Sequence, residues 1–149
     1  MEVQVTVRVP DALVRKLGDG CREALKEAYE AAGLAGMGAA REYPPQRPEA
    51  VYRRTGTLAR LTSYRAEADR AVVTVGAPYA PYVFTGTGIY GPKGRPIEPV
   101  AAKALRFEVG GKTVFAKRVR GMPPWSGHLE KTAKAMAQAF TDRMRHWVK

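Results

Sequence analysis

The chain has 149 residues, 45% of them hydrophobic and 26% charged, which suits a single domain with one modest core. Its 25 Lys and Arg against 14 Asp and Glu give a net charge of +11, so acidic partners are favoured: nucleic acid, an anionic membrane or an acidic protein. The plainer account of that excess is a solvated basic surface, because the charges are scattered and no run of five or six basics occurs. Apolar runs of only a few residues are too short to span a membrane, and the opening resembles neither a signal nor a transit peptide, so cytosolic synthesis is expected. A single cysteine, Cys21, excludes an internal disulfide framework and reads as a small core residue.

Residues 2–9 alternate Val3, Val5, Val7 and Val9 against Glu2, Gln4, Thr6 and Arg8, the pattern of a half-buried strand. Pro10-Asp11 then opens a helix in which Leu13, Leu17, Cys21, Leu25 (or Ala24) and Ala28 recur at helical spacing to about residue 32. Gly18 and Gly20 weaken it, each by about 1 kcal/mol relative to Ala, and Gly33 is its expected stop. Residues 34–54, with Gly36, Gly38 and Tyr43-Pro44-Pro45, read as a long flexible loop. Thr55-Gly56-Thr57-Leu58 leads into a strand around 60–67, and a turn at Asp69-Arg70 returns the chain as a second strand from Ala71 to Val75.

Ala77-Pro78-Tyr79-Ala80-Pro81-Tyr82-Val83-Phe84-Thr85-Gly86-Thr87-Gly88 is the most informative stretch. An uncharged aromatic run broken twice by proline is a poor strand and a poor long helix, and it predicts one short turn whose rings dock against something. Residues 86–99, rich in glycine and proline, read as a flexible arm. Two alternating runs then flank Gly110-Gly111, the pattern of a tight hairpin. Pairing Val109 with Lys112 sets Phe107 opposite Val114 and Leu105 opposite Ala116 on one face, with Arg106, Thr113, Phe115 and Lys117 on the other. Ser126 is the expected cap of a closing helix whose apolar face carries Leu129, Ala133, Met136, Phe140, Met144 and Trp147. The sum is an α+β protein: a mainly antiparallel sheet of about five strands with an N-terminal and a C-terminal helix packed on it.

Motifs that resemble chemistry do not survive their context. Gly86-Thr87-Gly88-Ile89-Tyr90-Gly91 matches G-x-G-x-x-G, but prolines at 92, 96 and 99 follow where a dinucleotide site needs a helix N-terminus. Gly111-Lys112-Thr113 lacks the leading glycine of a phosphate loop, since position 106 is Arg106. His128 and His146 have no ligand neighbours at metal spacing, and neither Ser63 nor Ser126 sits in a nucleophile elbow. No catalytic activity, cofactor or metal is expected. Trp125 and Trp147 could stack on bases, though Trp147 extends a helix face and Trp125 can staple the closing helix to the sheet. The absence of Asn, few Gln and 11 prolines fit a thermophilic source.

From Thr55 onward, roughly two-thirds of the chain, the sequence resembles the head–tail joining proteins of long-tailed bacteriophages, also called neck, tail-completion or minor tail proteins. Thr55-Gly56-Thr57-Leu58 matches the family's Thr-Gly-x-Leu entry, and Val75 to Thr87 matches its Gly-x-x-Tyr-Ala-x-Tyr-Val-x-x-Gly-Thr segment. Met122-Pro123-Pro124-Trp125-Ser126-Gly127-His128-Leu129 resembles its proline-rich approach to a closing helix, with Trp125-Ser126 where the family has Pro-Phe. The resemblance implies a non-enzymatic virion subunit, made in the host cytoplasm, that forms a ring, often sixfold, between capsid neck and tail tube and lets DNA pass. It implies neighbouring neck and tail-tube proteins as partners, with Tyr79, Tyr82, Val83, Phe84, Tyr90, Arg53, Arg54 and Trp125 as interface candidates. The alternative reading is a basic nucleic-acid-binding module, which the charge and the tryptophans support and the lack of a known recognition motif opposes.

Overall fold

The computed structural model describes residues 2–46 and 54–148. The alternating N-terminus forms strand β1 (Val3–Arg8), which pairs antiparallel with β3 (Arg70–Val75); β3 pairs antiparallel with β2 (Thr62–Ala66) on its other side. A turn closed by the Glu67 N–H donating to Arg70 O (2.8 Å) joins β2 to β3. Register places Val5, Val73 and Tyr64 in one cross-strand row and Val7, Ala71 and Ala66 in the next. All six side chains point to the same face, where Ala71 and Val73 are fully buried.

Two helices cover that face. The chain leaves β1 through α1 (Asp11–Leu17), breaks at Gly18, makes one 3-10 turn at Asp19–Cys21 and resumes as α2 (Arg22–Arg41). Cys21 is buried at this break, its thiol 3.1 Å from Gly18 O, as a small core residue would be. The helix does not stop at Gly33, and 34–41 is not loop. The glycines are contact points: a Cβ at Gly33 would strike the Tyr64 ring, and one at Gly36 would strike Met136 and lie 2.9 Å from Val73 Cγ2. Close approach to β2, β3 and the last helix outweighs the propensity cost of about 1 kcal/mol per glycine. Residues 42–46 follow outside any helix or strand, with Glu42 in extended backbone.

The closing helix, α5 (His128–Val148), lies along α2 and reaches β1. Its first turn is closed by the Lys131 N–H donating to Gly127 O (2.8 Å), so the helix starts just past Ser126. Met136 is fully buried between α2 and the sheet, with Leu129, Phe140 and Met144 partly buried around it. Trp147, at the far end, is half exposed. Burying a side chain of Met136's size contributes about 1.5–3 kcal/mol. No helix among the described residues is long and apolar enough to cross a membrane.

The remaining strands do not extend this sheet. Strands β4 (Leu105–Val109) and β5 (Lys112–Ala116) form a separate two-stranded antiparallel sheet, in the register the Gly-Gly turn predicts. Both turn glycines have positive φ (57° and 78°), as the tight hairpin turn demands. The architecture is therefore α+β with antiparallel sheets, but the expected single sheet of about five strands is a three-stranded and a two-stranded one. The cause lies in the flanks of the hairpin, which pair with each other. Thr87 N–H donates to Met122 O (2.9 Å), Ile89 N–H to Arg120 O (2.9 Å), and Ile97 and Val119 exchange both backbone bonds (2.8 and 2.9 Å). Residues 86–122 thus form an arm with two tied legs, and the expected loose loop at 86–99 is one of those legs.

Candidate functional site

The aromatic stretch forms α4 (Ala80–Thr85), a six-residue helix with Pro81 in its first turn, where the missing N–H has no intrahelical partner to lose. Thr85 Oγ1 donates to Pro81 O (2.8 Å) and Gly86 ends the helix. Ala80 and Phe84 face inward and are buried, which turns Tyr79 and Tyr82 outward; Tyr82 is 62% exposed. Opposite α4 stands α3 (Thr57–Arg60), the short helix before β2, whose Leu58 is buried.

Between them lies a cleft of about 340 Å³ whose walls include Tyr43, Arg54, Tyr79, Tyr82, Val83 and Trp125. Trp125 is fixed to α4 by its backbone N–H, which donates to Val83 O (2.9 Å). Its ring meets Tyr43 edge-on at 5.6 Å, Phe84 at 6.3 Å and His128 at 5.4 Å. Phe84 stacks nearly parallel on His128 at 5.6 Å. His128 Nε2 lies 3.2 Å from Ala40 O, and because a carbonyl only accepts, that nitrogen carries the proton. Each such ring pair contributes about 0.5–1.5 kcal/mol beyond area burial. The cluster ties the C-terminus of α2 to α4 and to the start of α5.

Arg54 closes the cleft from the other side. Its guanidinium lies 5.3 Å from the Tyr43 ring centre and 5.4 Å from that of Trp125, and Nη1 donates to Pro44 O. Its Nε is buried and has no partner among the described residues. Tyr43 is anchored in turn, its hydroxyl accepting from the Ala59 N–H (3.2 Å). The described lining holds one cation and no carboxylate, imidazole or thiol. Such walls suit an apolar or aromatic side chain and offer no acid–base pair for catalysis. Among the described residues there is no group of His, Cys, Asp and Glu that could hold a metal ion.

Five of the residues singled out by sequence (Arg54, Tyr79, Tyr82, Val83 and Trp125) meet in this cleft. Phe84 lies behind it, supporting Trp125. Tyr90 lies apart, in a 3-10 turn at Gly88–Tyr90 on the arm. Arg53 lies outside the described residues. Tyr43, Leu58 and Met122 also line the cleft and His128 is the platform beneath it, although none of the four stands out from sequence as a site residue. Leu58 and Met122 lie within the Thr55–Leu58 and Met122–Leu129 motifs, and the one local signal at Tyr43 is an aromatic biased to extended backbone before two prolines.

Tyr82 also walls a second, wider groove of about 730 Å³ between α4 and the first leg of the arm, with Ile97 and Val100 on its far side. The base of the arm is a close backbone crossing. A Cβ at Gly88 would collide with Arg120 O, and one at Gly121 with Thr87 O; both glycines have positive φ (63° and 91°). The G-x-G-x-x-G glycines therefore serve a crossing of chain on chain, with no helix after them. Comparison of the chain with family models, with curated proteins and with solved structures finds no match.

Proposed function

We propose that this protein is a structural, non-enzymatic subunit that assembles head to tail into a ring at the neck–tail junction of a long-tailed bacteriophage. The ring completes the tail, joins it to the capsid and leaves a central passage for DNA. One observation carries the reading: a single chain bears two unlike apolar surfaces with none of its described elements over them. The first is the aromatic cleft flanked by the outward rings of Tyr79 and Tyr82. The second is the hairpin of β4 and β5, whose Phe107 and Val114 on one face and Phe115 on the other are exposed, and which packs extensively on no other helix or strand among the described residues. Isolated two-stranded hairpins are marginal in water, so an apolar ribbon held out on an arm gains stability when a neighbour covers it. Unlike patches on one chain make a heterologous contact, and such contacts close into rings when their rotation allows. The virion setting is supported by the resemblance of Thr55–Leu58, Val75–Thr87 and Met122–Leu129 to the neck and tail-completion proteins.

Native mass spectrometry and electron microscopy of the purified protein, alone and with tail-tube protein, test this reading. A closed ring or a stable complex with tail ends is expected, and Phe107→Ser or Tyr82→Ala should push it toward monomer. A protein that stays monomeric at every attainable concentration and ignores tails would overturn it.

A further inference from the structure

The ion pairs found among the described residues all lie in the body, and the arm has none of them. They include Arg8 with Asp11 and Asp69, Arg70 with Glu67, Lys134 with Glu130, Arg143 with Glu27, Lys131 with Glu42. Residues 103–120 carry Lys103, Arg106, Lys112, Lys117, Arg118 and Arg120 against the single acid Glu108. These eighteen residues alone hold a net +5 of the chain's +11. All six cations are exposed, and none is in an ion pair among the described residues. The hairpin also has two different faces. Cross-strand pairing puts Arg106 opposite Phe115 and Glu108 opposite Thr113, away from the apolar face, and Phe115 is 66% exposed.

We infer that the hairpin part of the arm, residues 103–120, is a binding element for the phosphate backbone of double-stranded DNA. Unpaired cations on an extended element lose little on meeting phosphates, because no internal partner has to be given up, and they gain by releasing the counterions condensed on a duplex. Duplex DNA is the polyanion the shape fits. Its major groove, about 12 Å wide, admits a two-stranded ribbon, whereas the deep, narrow groove of an RNA duplex does not. The cations are spread over both faces and the flanks of the hairpin, as contacts to a regular phosphate backbone require, so binding independent of sequence is expected. This inference rests on the charge map and not on the ring reading, although the two are compatible: the apolar face is free for a sister subunit while the Arg106 face meets DNA.

The test is fluorescence anisotropy of a labelled random-sequence duplex against salt, with oligomeric state read separately by native mass spectrometry. The wild-type protein is expected to bind with log K falling linearly in log salt. The quadruple variant R106Q/K117Q/R118Q/R120Q should bind at least tenfold more weakly in low salt, with a slope shallower by up to about 3.6, or about 0.9 for each phosphate left without its cation. Each single variant, such as Arg106→Gln, should remove about 0.9 of slope. A body variant that loses the same charge, K26Q/R70Q/K134Q/R145Q, should bind like wild type. Thermal unfolding midpoints close to wild type would show that the arm variants fold. The inference is overturned if arm and body variants bind alike, if wild type does not bind duplex in low salt, or if single-stranded RNA binds more tightly than duplex through the same residues. A monomer that binds DNA through its arm would sink the ring and keep this inference; a ring indifferent to DNA would do the reverse.

Discussion

The body and the arm are built from similar residues put to opposite uses. In the body, valines of β1 and β3 alternate against helices α2 and α5 and are covered, while Arg and Lys side chains reach carboxylates on neighbouring turns. In the arm, the same alternation in β4 and β5 leaves Phe107, Val114 and Phe115 in solvent, and the cations find no acid among the described residues. A strand pattern determines which side chains share a face, and only the neighbouring layer determines whether that face is a core. The body is therefore expected to be stable by itself, and the arm to acquire its energetic role from something outside the chain.

The contrast is broken most forcefully by truncation on each side of it. Met136→Ala removes a fully buried side chain between α2 and β3 and is expected to cost about 2–5 kcal/mol, a fall in unfolding midpoint of about 5–15 °C. Phe115→Ala, at an arm position that packs under nothing, should change the isolated protein by less than about 0.5 kcal/mol. Calorimetry of the two variants decides the point, and a large loss from Phe115→Ala would show that the arm belongs to the core after all.

At the junction of the two regions, Gly121→Ala forces a Cβ into Thr87 O at a φ that L-residues resist. The strain, about 1–3 kcal/mol, should open the crossing locally. Hydrogen exchange would then show the Ile89 and Met122 amides losing protection while the β3 amides keep theirs. Joint loss at both places would mean that arm and body unfold as one unit.

The elements with strong local periodicity could be read directly from the residues: β1 from its valines, the hairpin register from Gly110-Gly111, α5 from its apolar spacing. Where a long-range contact decides, local signals mislead. Gly33 and Gly36 look like helix breakers because nothing nearby in sequence reveals that Tyr64 and Met136 need their space. The candidate cleft was half legible. The aromatic stretch announced itself, but Tyr43 and Trp125 come from segments far apart in the chain, and only the fold brings their rings together. Alternation in β4 and β5 could not reveal that the hairpin joins no larger sheet, because pairing partners leave no mark in a two-residue period.

A smaller effect sharpens the body's side of the contrast. Tyr29 is fully buried against Phe140, and its hydroxyl accepts from the Val9 N–H (3.1 Å) at the end of β1. Burial raises its pKa above the ordinary 10.0, although the Val9 bond favours the phenolate. The neutral phenol is thus the form the fold prefers. Its contribution is complete below pH 10 and is lost as pH climbs through the raised folded value. Tyr29→Phe should cost about 1 kcal/mol at neutral pH, by leaving the Val9 N–H unpaired, and should blunt the loss of stability above about pH 10. An alkaline limb identical to wild type would assign that loss to other groups.

The smallest effect concerns the ion pairs themselves. Glu42, just past the end of α2, has its pKa lowered first by the hydrogen bond from Lys131 and then by that cation's charge. A depressed carboxylate contributes stability above its unfolded pKa, near 4.5, and loses it as pH falls through the lower folded value. Both side chains are largely exposed, so the contribution is small and should fade as salt shortens the screening length to about 3 Å at 1 M. Unfolding midpoints of Glu42→Gln between about pH 3 and 6, in low and high salt, should show a slightly flatter acid limb in low salt only. If the variant matches wild type throughout, this ion pair adds nothing to the fold. The two regions would then differ here in where their charges lie and in which molecules those charges can meet, and not in what the charges hold together.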